Sequence, residues 1–239
     1  MTHPADTFDF RDITPGIERF PGYSLPRHRH LHPYATVVLE GCFEESGYAG
    51  RIRAVAGDVL IHPALDCHAN HLVSPSVTLI RLDWADLSGR GVFYRLNDIE
   101  ELAKIAERDP QDAALLLEST LGRALPRPAG RRNDWPDLLG EALTRNTSLE
   151  IGRWAEENGL TPETVSRGFN TAYGISPILF RAELRARSAW LQVTRSSERL
   201  SAIAARSGFA DQAHMTRWIH RVSGASPSVW RASTGCSAH

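Results

Sequence analysis

The sequence predicts an α+β multidomain chain, a small β-barrel or sandwich followed by an all-α domain with helix-turn-helix patterns in tandem. Three observations lead there. Over residues 16–96, short β-rich runs alternate with turn formers. From Asn97 the pattern is helical, interrupted by one stretch rich in proline, glycine and arginine. Finally, SRGFNTAYGISPILFR (166–181) is echoed by TRWIHRVSGASPSVWR (216–231) at a constant offset of 50. Arg167 recurs as Arg217, Gly174 as Gly224, Ser176-Pro177 as Ser226-Pro227, and Phe180-Arg181 as Trp230-Arg231. The 239 residues suffice for more than one core, since domains commonly hold about 100 to 150.

The front part, residues 1–96, contains the runs ATVVLEG, RIRAV, GDVLIHP and VTLIRLDW. Glu40-Gly41, Tyr48-Ala49-Gly50 and Ala56-Gly57-Asp58 separate the first of these as turns. Residues 97–125 form two helices, DIEELAKIAERD, ended by Pro110, and QDAALLLESTLGRAL, ended by Pro126. Their apolar stripes, Ile99, Leu102, Ala103 and Ala106, then Ala113, Leu116, Leu117, Leu121 and Leu125, serve either packing onto the barrel or a dimer seam. PRPAGRRN, residues 126–133, reads as an interdomain linker ahead of a last domain over 134–239.

Composition narrows the classes. A hydrophobic share of 42% and a charged share of 23% are those of a folded globular protein, which excludes disorder as the default. No apolar run approaches the ~18 residues of a membrane span, and MTHPADTFDFRD is polar and acidic, unlike a signal peptide. A cytoplasmic protein without a membrane partner is expected. Cys42, Cys67 and Cys236 are odd in number and lack CxxC spacing, so thiols are expected rather than disulfides or a zinc ribbon.

Each copy of the duplication spells helix, glycine turn, capped helix. In the first, SLEIGRWAEENGL ends at Asn158-Gly159, Thr161 caps, Pro162 takes the first helical position, and the next helix runs to Gly174. In the second, LSAIAARS precedes Gly208, Asp211 caps, and DQAHMTRWIHRVS ends at Gly224; the two turns differ in length by one residue. Such a second helix is built to lie in a DNA major groove. Val165, Phe169 and Ala172, and then Met215, Trp218 and Val222, form the inward stripes. That leaves Glu163, Thr164, Ser166, Arg167 and Asn170 outward on the first, and Gln212, His214, Thr216, Arg217 and Arg221 on the second. Arginine bridges guanine O6 and N7, and glutamine bridges adenine, so these are base-reading residue types. The helix SPILFRAELRARSAWLQVTR between the copies is a rod of about 27 Å, which suits two readers near one duplex turn, about 34 Å, apart.

Charge is distributed to match. Residues 1–130 carry 13 basic and 18 acidic side chains, net −5, and residues 131–239 carry 14 and 10, net +4. Over residues 159–231 ten arginines face four acids. A basic half behind an acidic one fits a polyanion-binding module, although charge alone also fits a solvated helical surface.

Residues from about 134 to 232 resemble the DNA-binding domain of the AraC-type (arabinose-operon regulator) family of bacterial transcription factors. The resemblance rests on LSAIAARSGFADQAHMTRWIHRVSGASPSVWR (200–231) and TPETVSRGF (161–169). It implies base-contacting roles around Glu163, Ser166 and Arg167, and around Gln212, Ala213, His214, Thr216 and Arg217. Ala213 and His214 stand where many members carry other polar residues, and Ile219 replaces the usual Phe. The operator sequence is therefore not inherited from the family.

Six of the ten histidines fall between 28 and 71: His28, His30, His32, His62, His68 and His71. If RHRHLH is a strand, the first three share a face, and imidazole is the common ligand of zinc, nickel or iron. His68 is the partner expected from another strand, with His62 behind it. GYSLPRHRH and GDVLIHPALDCH resemble the two motifs of the cupin barrel, a double-stranded β-helix that many AraC-type regulators carry as effector domain. Two departures stand out. Tyr34 and Ala35 occupy the place of the carboxylate ligand, and Leu65 stands where the motif has glycine. Asp66 is the one carboxylate candidate nearby. The histidines thus serve either a divalent transition metal (Zn, Ni or Fe) or an organic effector pocket without metal.

Together these readings describe an effector-responsive, sequence-specific regulator of double-stranded promoter DNA, contacting two successive major grooves. A small molecule or metal is its effector, RNA polymerase a possible partner, and its state monomer or homodimer. The competing class is a metal-dependent cupin enzyme, oxygenase or isomerase, with a helical accessory domain. A metal store using the histidines is a third.

Overall fold

The computed structural model describes residues 11–22, 24–85, 91–127 and 134–235. They fall into two compact units, one ending at Asp137 and the other beginning at Leu138. Residues 128–133 of the expected linker, and Cys236, lie outside the described residues.

The front unit holds nine strands among its described residues: β1 (Gly16–Pro21), β2 (Ser24–His30), β3 (Tyr34–Glu40), β4 (Cys42–Gly47), β5 (Gly50–Val55), β6 (Asp58–His62), β7 (Asp66–Leu72), β8 (Ser76–Asp83) and β9 (Val92–Arg95). They pair antiparallel into a five-stranded sheet, β1-β8-β3-β6-β9, and a four-stranded sheet, β2-β7-β4-β5. The result is a jelly-roll-like sandwich. The runs recognised by their β-branched content are β3, β5, β6 and β8; the strands β1, β4, β7 and β9 carry no such run.

Helices α1 (Glu100–Ala106) and α2 (Pro110–Leu121) cover the outer face of the five-stranded sheet. Ala35, Val37, Val59, Ile61, Ile80 and Leu82 meet Leu102, Ala106, Ala113, Leu117 and Leu121 there. This explains why β3 and β6 read as continuous apolar runs: both of their faces are covered. Burying the three leucines contributes at most about 5 to 9 kcal/mol by the usual transfer scale. Pro110 does not merely stop a helix. Asp109 caps α2 by accepting from the amides of Gln111 and Asp112, and Pro110 takes the first position, where no amide is needed. α2 ends at Leu121, so Leu125, expected in its stripe, lies beyond the helix and is exposed.

The second unit is helical: α3 (Trp135–Arg145), α4 (Ile151–Glu157), α5 (Pro162–Tyr173), α6 (Pro177–Arg195), α7 (Leu200–Arg206), α8 (Gln212–Ser223) and α9 (Pro227–Ser233). α5 and α8 both span 12 residues and both end at a left-handed glycine, Gly174 (φ 68°) and Gly224 (φ 78°), a conformation that costs a residue with a Cβ about 1 to 2 kcal/mol. Ser176 and Ser226 cap the helices that follow through their hydroxyls. The offset is 49 before the turn (208 − 159) and 50 after it (211 − 161), which places the extra residue between Gly208 and Asp211. The cores match as well. Phe180 packs edge-on against Phe169 and Tyr173, and its counterpart Trp230 packs edge-on against Trp190.

Two inward assignments need correction. Tyr173 rather than Ala172 is the buried residue after Phe169, and Ile219 is buried where Trp218 is only half-buried. A 100° step sets the stripe's centre but not its edge, and in each copy the residue one position further along turned inward.

Candidate functional site

On α5, Glu163, Thr164, Ser166, Arg167 and Asn170 are all exposed. On α8, Gln212, Ala213 and Arg217 are exposed, whereas His214, Thr216 and Arg221 are partly covered. His214 is tied within its helix, because Trp218 donates its indole N–H to His214 Nε2 at 3.0 Å. The Arg221 guanidinium lies over the Trp218 ring at 5.2 Å. The freest cations on the two helices are therefore Arg167 and Arg217, which the duplication equates.

α6 holds both copies. Arg185 donates from Nε and Nη2 to the carbonyl of Thr147 at 2.9 and 2.6 Å, just ahead of α4, and from Nη1 to the carbonyl of Gly208 at 3.2 Å, after α7. Arg181 donates to Leu149 O at 2.8 Å, and its repeat Arg231 donates to Glu198 O at 2.7 Å. Each copy thus pins the chain entering its first helix with an arginine at the same register, a pairing that the sequence echo contained but did not explain.

The second site lies between the sheets of the front unit, in a cavity of about 40 Å³. Phe20, Leu25, Phe43, Leu72, Val77 and Leu79 form its apolar wall. His28, His30, Tyr34, Glu45, His62, His68 and Arg81 form the polar one. Strand register brings them together: His28 faces His68 across β2 and β7, Tyr34 faces His62 across β3 and β6, and Glu45 faces Asn70 across β4 and β7. His30 and His68 stack at 5.3 Å between centroids, and His28 meets both edge-on at 4.9 and 4.6 Å. His62 stacks on Tyr34 at 4.3 Å and lies 4.9 Å from His68.

Hydrogen bonds set the tautomers. Asp66 Oδ2 accepts from Nδ1 of His62 at 3.0 Å and of His68 at 3.1 Å. A carbonyl can only accept, so His28 Nδ1–H donates to Pro26 O at 2.9 Å. Three imidazoles are thus oriented through Nδ1, the outer-shell arrangement that fixes histidine ligands in metal sites. Tyr34 Oη lies 3.4 Å from His68 Nε2. His30 Nδ1 is buried with no hydrogen-bond partner.

The electrostatics are those of a site that favours a cation. Burial pushes His30 down to about 2, with the neighbouring His68, His28 and His62 adding to the shift, so its ring is neutral. Asp66 sits well below the usual carboxylate range because the bonds from His62 and His68 outweigh the opposing burial. Burial works against a charge on His68, yet Glu45 and Asp66 together raise it. Tyr34 is raised by burial and by the same two carboxylates. Arg81, the cation of the polar wall, is engaged by Glu18 at 3.1 Å.

The residues present fit a divalent transition metal. One ligand atom from each of His28, His30 and His68 lies within 4.8 Å of the others, as do those of Glu45, His62, Asp66 and His68. Imidazole and carboxylate suit zinc, nickel or iron. Of the five histidines singled out in the sequence, four gather here. His32 does not: β2 ends at His30, and the following bend leaves His32 exposed, so the alternation that would have carried it inward stops two residues short. Glu45 escaped sequence reading. Its signal was the period-2 register with Phe43, which puts both side chains on the inner face of β4.

Residues 154–233 match the family described as a helix-turn-helix domain. No curated protein matches the chain in sequence. Among solved structures, the unsaturated fatty acid-bound ToxT of Vibrio cholerae is 13% identical, with 94% of this chain and 96% of that one covered, at a TM-score of 0.40. A probable AraC family transcriptional regulator from Rhodopseudomonas palustris is 20% identical over 40% of this chain and 93% of that one, at 0.38. The C-terminal domain of AraT, a response regulator from Geobacillus stearothermophilus, is 21% identical over 43% and 88%, at 0.40.

Proposed function

We propose that this chain, whose residues 154–233 are an AraC-type helix-turn-helix domain, is an effector-responsive transcriptional regulator whose effector occupies the cavity of the front unit. The observation that carries the DNA-binding half is the duplication. Two capped 12-residue helices present Arg167 and Arg217 to solvent and are joined by a 19-residue rod of about 28 Å. That length suits major grooves one turn apart on one face of the duplex. Glu163, Thr164, Ser166, Arg167 and Asn170 read one groove; Gln212, Ala213, His214, Thr216, Arg217 and Arg221 serve the next.

The effector half rests on the amphipathic cavity. An effector shifts DNA binding only if it favours one conformation of the protein over another, by as much as its affinities for the two differ. The action is binding and not catalysis, in the cytoplasm, on promoter DNA and with RNA polymerase as the downstream partner, by a monomer or homodimer. No helix among the described residues is long and apolar enough to cross a membrane.

The test is a salt series on the full chain with promoter DNA. Phosphate contacts release counterions, so log K falls with log salt at about −0.9 per phosphate neutralised. Absence of any DNA complex at low salt, together with metal-dependent turnover of a small molecule, would support the cupin-enzyme reading instead.

A further inference from the structure

Trp218 stands on α8 at a place where the core does not need it. The next residue, Ile219, is fully buried, as is its counterpart Phe169 in the first copy, whereas the Trp218 ring stays half-buried. Its indole N–H donates instead to Nε2 of His214, one helical turn back, at 3.0 Å. An indole nitrogen can only donate, so His214 Nε2 is the bare, accepting nitrogen and the proton of the neutral ring sits on Nδ1.

Other groups keep this pair in place. Asp211 accepts from the His214 backbone amide at 2.6 Å, which fixes the residue in the first turn of α8, the part of a reading helix that meets base edges. Phe209, itself buried, meets the imidazole edge-on at 5.4 Å, and the Arg221 guanidinium lies over the Trp218 ring at 5.2 Å, an attraction that holds the indole where it is. The first copy lacks the device, because Thr164 stands in the place of His214 and Gly168 in that of Trp218.

A histidine whose two nitrogens are both open can donate from one or accept with the other, and so tolerates either kind of base edge. With Nε2 occupied by Trp218, the ring has Nδ1–H alone to offer. In the major groove guanine presents N7 and O6 as adjacent acceptors, adenine sets an amino donor beside its N7, and cytosine presents only its N4 donor. We propose that Trp218, without touching a base, is a positioning residue that makes His214 a donor-only reader, so that α8 favours guanine and refuses cytosine at one position of its groove. The inference rests on the regulator reading above and adds the chemistry of one of its base contacts.

The experiment uses the full chain, labelled with nitrogen-15 in histidine, and DNA that it has selected from random sequence. The imidazole nitrogen spectrum, with His214 assigned by its loss in His214→Ala, should show the proton on Nδ1; in Trp218→Phe, which keeps an aromatic ring but removes the donor, it should shift toward Nε2. In parallel selections, Trp218→Phe and His214→Ala should relax the preference at the same single base pair. Cytosine there should gain about 2- to 10-fold relative to guanine, the worth of one hydrogen bond, with the remaining positions unchanged. Circular dichroism confirms that both variants fold. An unaltered tautomer in Trp218→Phe, a wild-type protein that accepts cytosine at that position, or equal weakening on all sequences overturns the proposal. A chain that selects DNA with preferences indifferent to Trp218→Phe loses this inference and keeps the regulator reading; a chain that binds no DNA at low salt loses both.

Discussion

Arg185→Ala separates the two copies of the duplication from their common strut. The guanidinium makes two bonds to Thr147 O and one to Gly208 O, so one side chain ties the entrance of the first helix-turn-helix and the turn of the second to α6. Charge-assisted bonds contribute about 1.5 to 3 kcal/mol each when desolvated, but Arg185 is half-buried and water replaces part of what is lost, which brings the total to about 2 to 3 kcal/mol. For a unit of this size each kcal/mol moves Tm by about 4 to 8 °C, so the helical unit should melt roughly 10 °C or more lower. Thermal unfolding of the full chain followed by tryptophan fluorescence reads that shift. A second assay compares DNA selected by the protein with the same DNA scrambled in one of its two contacted segments. The variant should lose most of the advantage of the two-segment DNA while binding the one-segment DNA nearly as before, because the strut sets the effective concentration of the second reader. Arg185→Lys should rescue little, since an ammonium cannot reproduce the fork. An unchanged Tm and an unchanged two-segment advantage would refute the reasoning.

Three further outcomes are expected. Arg217→Ala should lose about 1 to 3 kcal/mol of discrimination at one base position in a selection experiment, whereas uniform weakening across sequences would mark it as a phosphate contact. Gly140→Ala should destabilise the helical unit by about 1 to 3 kcal/mol in urea, because its Cβ would sit 2.8 Å from the Tyr173 hydroxyl, on a ring held between Phe169 and Phe180; an unchanged midpoint would show that the ring can retreat. Leu65 adopts φ 57° where the cupin motif has glycine, yet its side chain is fully buried. Leu65→Gly relieves about 1 to 2 kcal/mol of strain and loses about 2 to 5 of packing, so net destabilisation is expected, and a raised melting temperature would show that strain dominates.

The helical half was legible because its punctuation is local. Thr161, Asp211, Ser176 and Ser226 each accept the amide that an N-cap side chain should, and Pro162, Pro177 and Pro227 need no partner where they stand. The strands of the front unit divide differently. β3, β6 and β8 announce themselves through Val, Ile and Leu on two covered faces. β4 and β7 do not, since their inner positions are Phe43 and Glu45, then Asp66, His68 and Asn70, and a buried acid or imidazole erases the apolar alternation by which a strand is recognised. The residues that build the site are thus the ones that hide the elements holding it. His32 shows the converse: alternation continued on paper past the point where the strand bends. The period-2 spacing from Phe43 puts Glu45 on the inner face of β4, but that it stands opposite Asn70 on β7 follows only from pairing in three dimensions.

The most direct measurement of the central claim is a hydroxyl-radical footprint of the full chain on DNA it has selected from random sequence. Two protected patches on one face of the duplex, centred about 10 base pairs apart, are expected from two reading helices on a single rod. A single patch, or protection spread evenly along the DNA, would contradict it.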